Sequence, residues 1–128
     1  MAIGTILLAD DEAALRFLLT ETLADEGYDI TEAADGQEAL THIQNSAYQL
    51  IILDYMMPEK TGVEVCEWLR THPNPNMQTP VILLTAKALD KDKERARHAG
   101  VSQYIVKPFS PLQLIEIVRR LIEPNHAP

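Results

Sequence analysis

The sequence predicts an α/β domain: a parallel sheet with helices covering both faces. Two observations carry that expectation. Short apolar runs at residues 5–9, 28–33, 50–53, 81–84 and 103–106 alternate with segments of helical period at 13–26, 37–45, 63–70, 89–99 and 111–122. Strands alternating with helices make βα units. The third run, LIIL, is apolar at every position before it meets Asp54, and such a run reads as a strand buried on both faces.

The first run leads into Asp10, Asp11 and Glu12 and then a helical segment. At ~100° per residue its Leu15, Leu18, Leu19 and Leu23 share one face, with Phe17 pointing roughly the other way, towards solvent. Gly27 falls where a helix C-terminal cap belongs. The second run ends in Ala33-Ala34, which offer no chemistry, and Asp35 with Glu38 makes a capping pair for the next helix. The third run ends on Asp54, followed by Met56-Met57 and a turn at Pro58. Cys66 falls among apolar positions of the next helix, as a packed core thiol. HPNPNMQTP, residues 72–80, is the one long loop. The fourth run leads to Thr85, and the helix beyond it is capped by Gly100. After the fifth come Lys107-Pro108, and Ser110-Pro111 is an N-cap followed by a first-turn proline. Five such units fill residues 1–122 as one domain and leave 123–128 as a tail or the start of a linker.

Composition excludes several function classes. The chain has 128 residues, 46% apolar and 23% charged, with a net charge of −8. Binding nucleic acid requires clustered Lys and Arg to neutralise phosphates, and an anionic membrane surface attracts basic segments; an acidic domain suits neither. A single cysteine precludes an internal disulfide and fits a reducing cytosol. The start, MAIGTILLADDE, lacks the basic region of a signal peptide, and no apolar stretch approaches the ~20 residues of a membrane span. The expectation is a cytoplasmic protein.

Ligands of open parallel sheets bind beyond the carboxyl ends of the strands. Four of the five run ends carry polar or charged groups: Asp10-Asp11-Glu12, Asp54, Thr85 and Lys107. Three carboxylates at one edge repel each other unless a cation is present. Oxygen ligands with room for water and phosphate suit Mg²⁺. Two acids for a metal, a central acid, a hydroxyl and a lysine describe a phosphoryl-transfer site with the central carboxylate as nucleophile. Taken singly, the same residues have plainer readings. Asp10 or Asp11 is a helix cap, Thr85 a turn hydroxyl, Lys107-Pro108 an exposed turn, and Tyr104 a half-buried strand aromatic. His42, His72, His98 and His126 lack ligand spacing and default to surface or loop positions.

LLADDE, LIILDYMMPEKTG, VILLTA and YIVKPF, in that order, resemble the receiver domain of bacterial response regulators along the whole chain. The resemblance implies a doubly wound, flavodoxin-like five-stranded sheet of order 2-1-3-4-5. It implies Asp54 as phosphoacceptor, and Asp10 and Asp11 as Mg²⁺ ligands together with the backbone carbonyl of Met56. Thr85 is implied as the switch hydroxyl, Lys107 as the phosphoryl-binding lysine, Tyr104 as the aromatic switch residue, and Lys107-Pro108 as a cis peptide. A histidine kinase or phosphotransfer protein is the implied donor. The output is a target protein, or an effector domain missing from these residues. The chain would be no enzyme beyond catalysing its own aspartyl phosphorylation and dephosphorylation. The first helix of the family commonly faces the kinase, which makes Phe17 a candidate anchor. The side chains two past the acceptor and two past the switch hydroxyl, Met56 and Lys87, border the path of the hydrolytic water. Neither offers an acceptor that steers it, so a long-lived phosphorylated state is expected. In one branch with DNA-binding outputs, paired acids precede the switch Tyr as part of a charged dimer face; Ser102-Gln103 stand here and weaken the case for that dimer.

Two rivals share features. A flavodoxin-like electron carrier needs hydroxyls and glycines in its first loop, where Asp10-Asp11-Glu12 would repel a flavin phosphate. An aspartyl-phosphate hydrolase places a second acid two residues after the nucleophile, where this chain has Met56.

Overall fold

The structure, a computed structural model, describes residues 4–86 and 89–122. Its elements are β1 (Gly4–Ala9), α1 (Ala13–Asp25), β2 (Tyr28–Ala33), α2 (Gly36–Asn45), β3 (Leu50–Asp54), α3 (Gly62–Thr71), β4 (Val81–Thr85), α4 (Asp90–His98), β5 (Gln103–Val106) and α5 (Pro111–Ile122). The sheet is parallel throughout, in the order β2-β1-β3-β4-β5. Each expected element is present, with shifts of at most one residue at an end. Two of those shifts matter: β3 extends to take in Asp54 and β4 to take in Thr85. Both residues are therefore held by the ladder itself rather than by the loops that follow.

Alternation explains why the central strands are apolar at every position. Successive side chains of a strand point to opposite faces. Leu7, Ile51, Leu53, Val81 and Leu83 pack with α2, α3 and the end of α4, while Ile6, Leu8, Ile52, Ile82 and Leu84 pack with α1 and α5. Each such fully buried side chain contributes roughly 1.5–3 kcal/mol relative to exposure. In α4 only Ala96 is buried, which makes it the most lightly anchored helix of the domain.

The helix ends follow the sequence signals with two differences, one being that α1 is preceded by Glu12 and has no side-chain cap from Asp10 or Asp11. Gly27 and Gly100 have φ of 103° and 96°, the left-handed conformation that a terminating residue needs. Asp35 accepts from the Glu38 N–H at 2.8 Å, but the Glu38 carboxylate turns to the Ala34 N–H rather than back to Asp35. A reciprocal capping box occurs instead at Thr61 and Glu64. Ser110 Oγ accepts from the Gln113 N–H at 3.0 Å, the expected cap for α5.

Leu18 departs from the expected helical face. Leu19 and Leu23 are buried and Leu15 packs against them, but Leu18 is 50% exposed. It lies about 100° from the mean direction of the other three, at the margin of what the sheet can cover. Phe17 is 65% exposed, on the solvent side as expected. The long loop of residues 72–80 is built around Asn76, which is fully buried. Its amide donates to the Ile43 and Ser46 carbonyls at 2.8 and 2.7 Å, while its Oδ1 accepts from the Tyr48 N–H at 2.8 Å. Cys66 is buried in the core, and burial pushes its thiol up to about 11.

Candidate functional site

The parallel sheet brings the ends of β1, β3, β4 and β5 to one edge. In register, Ala9 lies beside Leu53, Asp54 beside Leu84, and Thr85 beside Val106. Asp10 therefore sits next to the end of β3, and Lys107 follows directly on β5. Behind Asp54 the chain turns so tightly that a Cβ on Gly62 would lie 2.4 Å from the Asp54 carbonyl oxygen. Only glycine fits there.

One carboxylate oxygen from each of Asp10, Asp11 and Asp54 lies within 4.8 Å of the other two. Asp10 and Asp54 are buried while Asp11 is exposed. The Lys107 ammonium lies 3.1 Å from Asp54 Oδ1. Burial pushes the Asp10 carboxyl up to about 6, opposed by the Glu12 N–H that it accepts at 2.9 Å and reinforced by the charge of Asp54. Burial also raises Asp54, with Lys107 pulling the other way. Asp10 is thus both a turn cap and a member of the cluster. Its second oxygen, Oδ2, is buried with no hydrogen-bond partner.

A buried acceptor without a donor costs about 1–3 kcal/mol, more when charged. A small hard cation would satisfy it, and Asp10, Asp11 and Asp54 supply the oxygen donors such an ion takes. Among the described residues this is the group of acids placed to hold a metal. Met56, whose carbonyl the resemblance assigns to the metal, lies two residues past the end of β3 and is 61% exposed.

Thr85 is buried at the end of β4, and its carbonyl accepts from the Lys107 N–H at 2.7 Å. Tyr104 is half-buried with its phenol oxygen sealed from solvent. Burial raises that phenol, and the neighbouring Thr85 hydroxyl offsets part of the rise. The two residues of the expected switch are therefore together, with the ring turned inwards. The Lys107-Pro108 peptide is cis. Ser102, which replaces the first of the paired acids, spends its hydroxyl on the Val81 N–H at 3.0 Å. Phe17 is on α1 and outside the cluster, and Lys87 lies outside the described residues.

The family profile of the "Response regulator receiver domain" matches residues 6–119. The chain belongs to this family. Other receiver domains share both its sequence and its sheet. The transcriptional regulatory protein ResD of Bacillus subtilis is 43% identical over 117 residues, which is 91% of this chain and 47% of ResD. The chain thus spans about half the length of the curated relatives it matches. The Francisella response regulator 1452 receiver domain superposes with a TM-score of 0.88 at 34% identity, covering 95% of this chain and 98% of that one. The receiver domain of sensor histidine kinase PA1611 from Pseudomonas aeruginosa has a magnesium ion coordinated in its active site cleft. It superposes with a TM-score of 0.84 at 32% identity over 93% of this receiver domain and 97% of its own chain.

Sequence reasoning had passed over one neighbour of the cluster. Arg16 of α1 donates to the Asp10 carbonyl at 2.6 Å and to Glu32 at 3.0 Å. The available signal was a cation one helical turn beyond an acidic triplet that offers it no obvious surface partner.

Proposed function

We propose that this receiver domain is a phosphorylation-dependent switch that accepts a phosphoryl group on Asp54 from a histidine kinase or phosphotransfer protein in the cytoplasm. The observation that carries this reading is the Lys107–Asp54 contact at 3.1 Å beside the acidic cluster with its unsatisfied Asp10 oxygen. An Asp54 oxygen attacks phosphorus, the new P–O bond forms as the P–N bond to the donor imidazole breaks, and the imidazole takes its proton from water. Asp10, Asp11, Asp54 and the Met56 carbonyl would hold Mg²⁺, which supplies charge for the transferring phosphoryl oxygens. The magnesium in the PA1611 domain supports that choice of cation. Lys107 neutralises a further oxygen and stays paired throughout. The chain catalyses only its own phosphorylation and dephosphorylation.

The added charge draws the Thr85 hydroxyl towards the phosphoryl group and favours the inward Tyr104 ring, biasing the surface of α4, β5 and α5. The light anchoring of α4 supports movement there. That surface would act on a target protein or an effector domain. The direct test is incubation with Mg²⁺ and acetyl phosphate, read as one added phosphoryl group by intact mass.

Donor docking follows from Phe17, which with half-exposed Leu18 forms an apolar patch on α1. An aromatic anchor of this kind is worth more than ~1 kcal/mol at an interface. Phe17→Ala should slow transfer from the cognate kinase about fivefold or more, leaving acetyl phosphate labelling at the parent rate. Equal slowing of both reactions would instead indicate a damaged domain.

The lifetime of the phosphorylated state follows from Met56 and Lys87. The Met56 thioether is at best a weak acceptor and orients water poorly, and an ammonium has no acceptor for its protons. Met56→Asn combined with Lys87→Glu should speed phosphate release after the donor is removed, by about tenfold if a positioned water is what the site lacks. Decay at or below the parent rate would remove these two residues from the control of lifetime.

A further inference from the structure

We infer that Arg16 is a positioning residue for the metal site, fixing the Asp10–Asp11 turn through its bond to the Asp10 carbonyl and its pairing with Glu32. The inference rests on the reading of Asp10, Asp11 and Asp54 as Mg²⁺ ligands. Asp10 lies one residue beyond β1, so its carbonyl is outside the strand. α1 begins without a side-chain N-cap, although Asp10 Oδ1 holds the Glu12 N–H at its start. The Arg16 guanidinium holds the Asp10 carbonyl and reaches the neighbouring strand. Nη1 donates to the Asp10 carbonyl at 2.6 Å and Nε donates to Glu32 Oε1 on β2 at 3.0 Å. The planar fork thus ties the β1–α1 turn to the neighbouring strand, which a point-charged ammonium would do less well.

Two further contacts complete the restraint on Asp10. Its N–H donates to the Ala33 carbonyl at 3.1 Å, and Oδ1 accepts from Glu12. With the carbonyl held by Arg16, the peptide joining Asp10 to Asp11 has a set orientation. One carboxylate oxygen of buried Asp10 and one of exposed Asp11 lie within 4.8 Å of each other and of Asp54. The side chain of Arg16 is 20% exposed and its bond to the Asp10 carbonyl is partly buried, while Glu32 is 45% exposed.

Electrostatics alone would argue against an arginine here. A positive charge near a divalent-cation site repels the ion, so a residue acting only by its charge should bind Mg²⁺ more tightly when removed. A positioning residue gives the opposite sign. Partners that orient metal ligands typically contribute 10–100-fold in affinity.

The test is calorimetric titration of the apo domain with Mg²⁺ at fixed ionic strength, with urea unfolding in chelator as the control for folding. Asp11→Asn should abolish measurable binding, which tests the metal reading itself. Arg16→Ala should weaken Mg²⁺ about tenfold, and Arg16→Lys, which keeps the charge, should weaken it by less. Arg16→Lys carries the test if the alanine variant does not fold. If Arg16→Ala binds within twofold of the parent or more tightly, or if only Arg16→Lys folds and it binds like the parent, the assignment of Arg16 is overturned while the metal site stands. A parent that binds no Mg²⁺, or Asp11→Asn that binds like the parent, overturns both.

Discussion

Asp54→Asn is expected to abolish phosphoryl acceptance from acetyl phosphate and Mg²⁺. The substitution keeps the shape of the side chain and an oxygen within reach of Lys107. It removes the anionic nucleophile, because an amide oxygen does not form a stable phosphoanhydride, and it removes one charge from the cation site. The fold should survive. Lys107 is partly exposed and can turn to water when its partner is lost. Asp10 and Asp11 meanwhile lose a repulsive neighbour. Intact mass should show a phosphoryl adduct on the parent and none on the variant at equal donor and Mg²⁺. Undiminished labelling, or an adduct mapped to another residue, would sink Asp54 as acceptor.

The fold was legible because the apolar runs and the glycine and proline punctuation agree about where each element stops. The cluster was legible because charged residues at strand ends in a parallel sheet share an edge whatever the details of packing. Other parts depend on contacts that pattern does not carry. Leu18 satisfies the helical period but lies just past the width of the sheet it would cover. Thr61 and Glu64 form the reciprocal box, while Asp35 and Glu38, which matched its spacing, do so only in part. Asn76 looked like one polar residue among several in a loop. Its role appears only when the Ile43, Ser46 and Tyr48 backbone groups converge on it from distant positions. Arg16 was invisible for a similar reason, since its partners are a carbonyl and a residue on the neighbouring strand.

Placing Tyr104 inward beside Thr85 bears on how the switch divides its states. On the proposed reading, a half-buried ring whose phenol oxygen is already sealed from solvent has made part of the movement that phosphorylation would reward. The phosphoryl group then has less to reorganise at β5 and more at α4, whose single buried residue leaves it the easier element to displace. A ligand shifts such an equilibrium only by its differential interaction with the two states. On the proposed reading that difference would lie in the contacts of Thr85 and Lys107 with the new oxygens.

Without metal, the domain should be more stable at pH 5 than at pH 7.5, and Mg²⁺ should reverse much of the difference. Asp10 titrates near 6 in the folded domain, up from 3.8, chiefly because it is fully buried. The folded state therefore holds that proton more tightly than the unfolded chain, and stability falls as pH rises from about 4 to 6 before levelling off. Over the whole range the shift corresponds to roughly 3 kcal/mol, at 1.36 kcal/mol per pKa unit, of which about half falls between pH 5 and pH 7.5. Asp54 is raised in the same direction. Glu64 and Glu94 are lowered below 4.5, so their contributions are nearly complete at pH 5 and their small remaining rise does not mask the trend. A bound cation favours the ionised acids, and at a hundred times its dissociation constant it stabilises by about 2.7 kcal/mol. That gain should be larger at pH 7.5, where Asp10 is charged, than at pH 5, where binding must first displace a proton. Urea unfolding at the two pH values, with chelator or saturating Mg²⁺, measures all four quantities. Asp10→Asn should raise the apo stability at pH 7.5, flatten the pH dependence and remove most of the Mg²⁺ gain. If apo stability instead rises from pH 5 to pH 7.5, or Mg²⁺ stabilises equally at both, the crowded carboxylates are not what limits the stability of the metal-free domain.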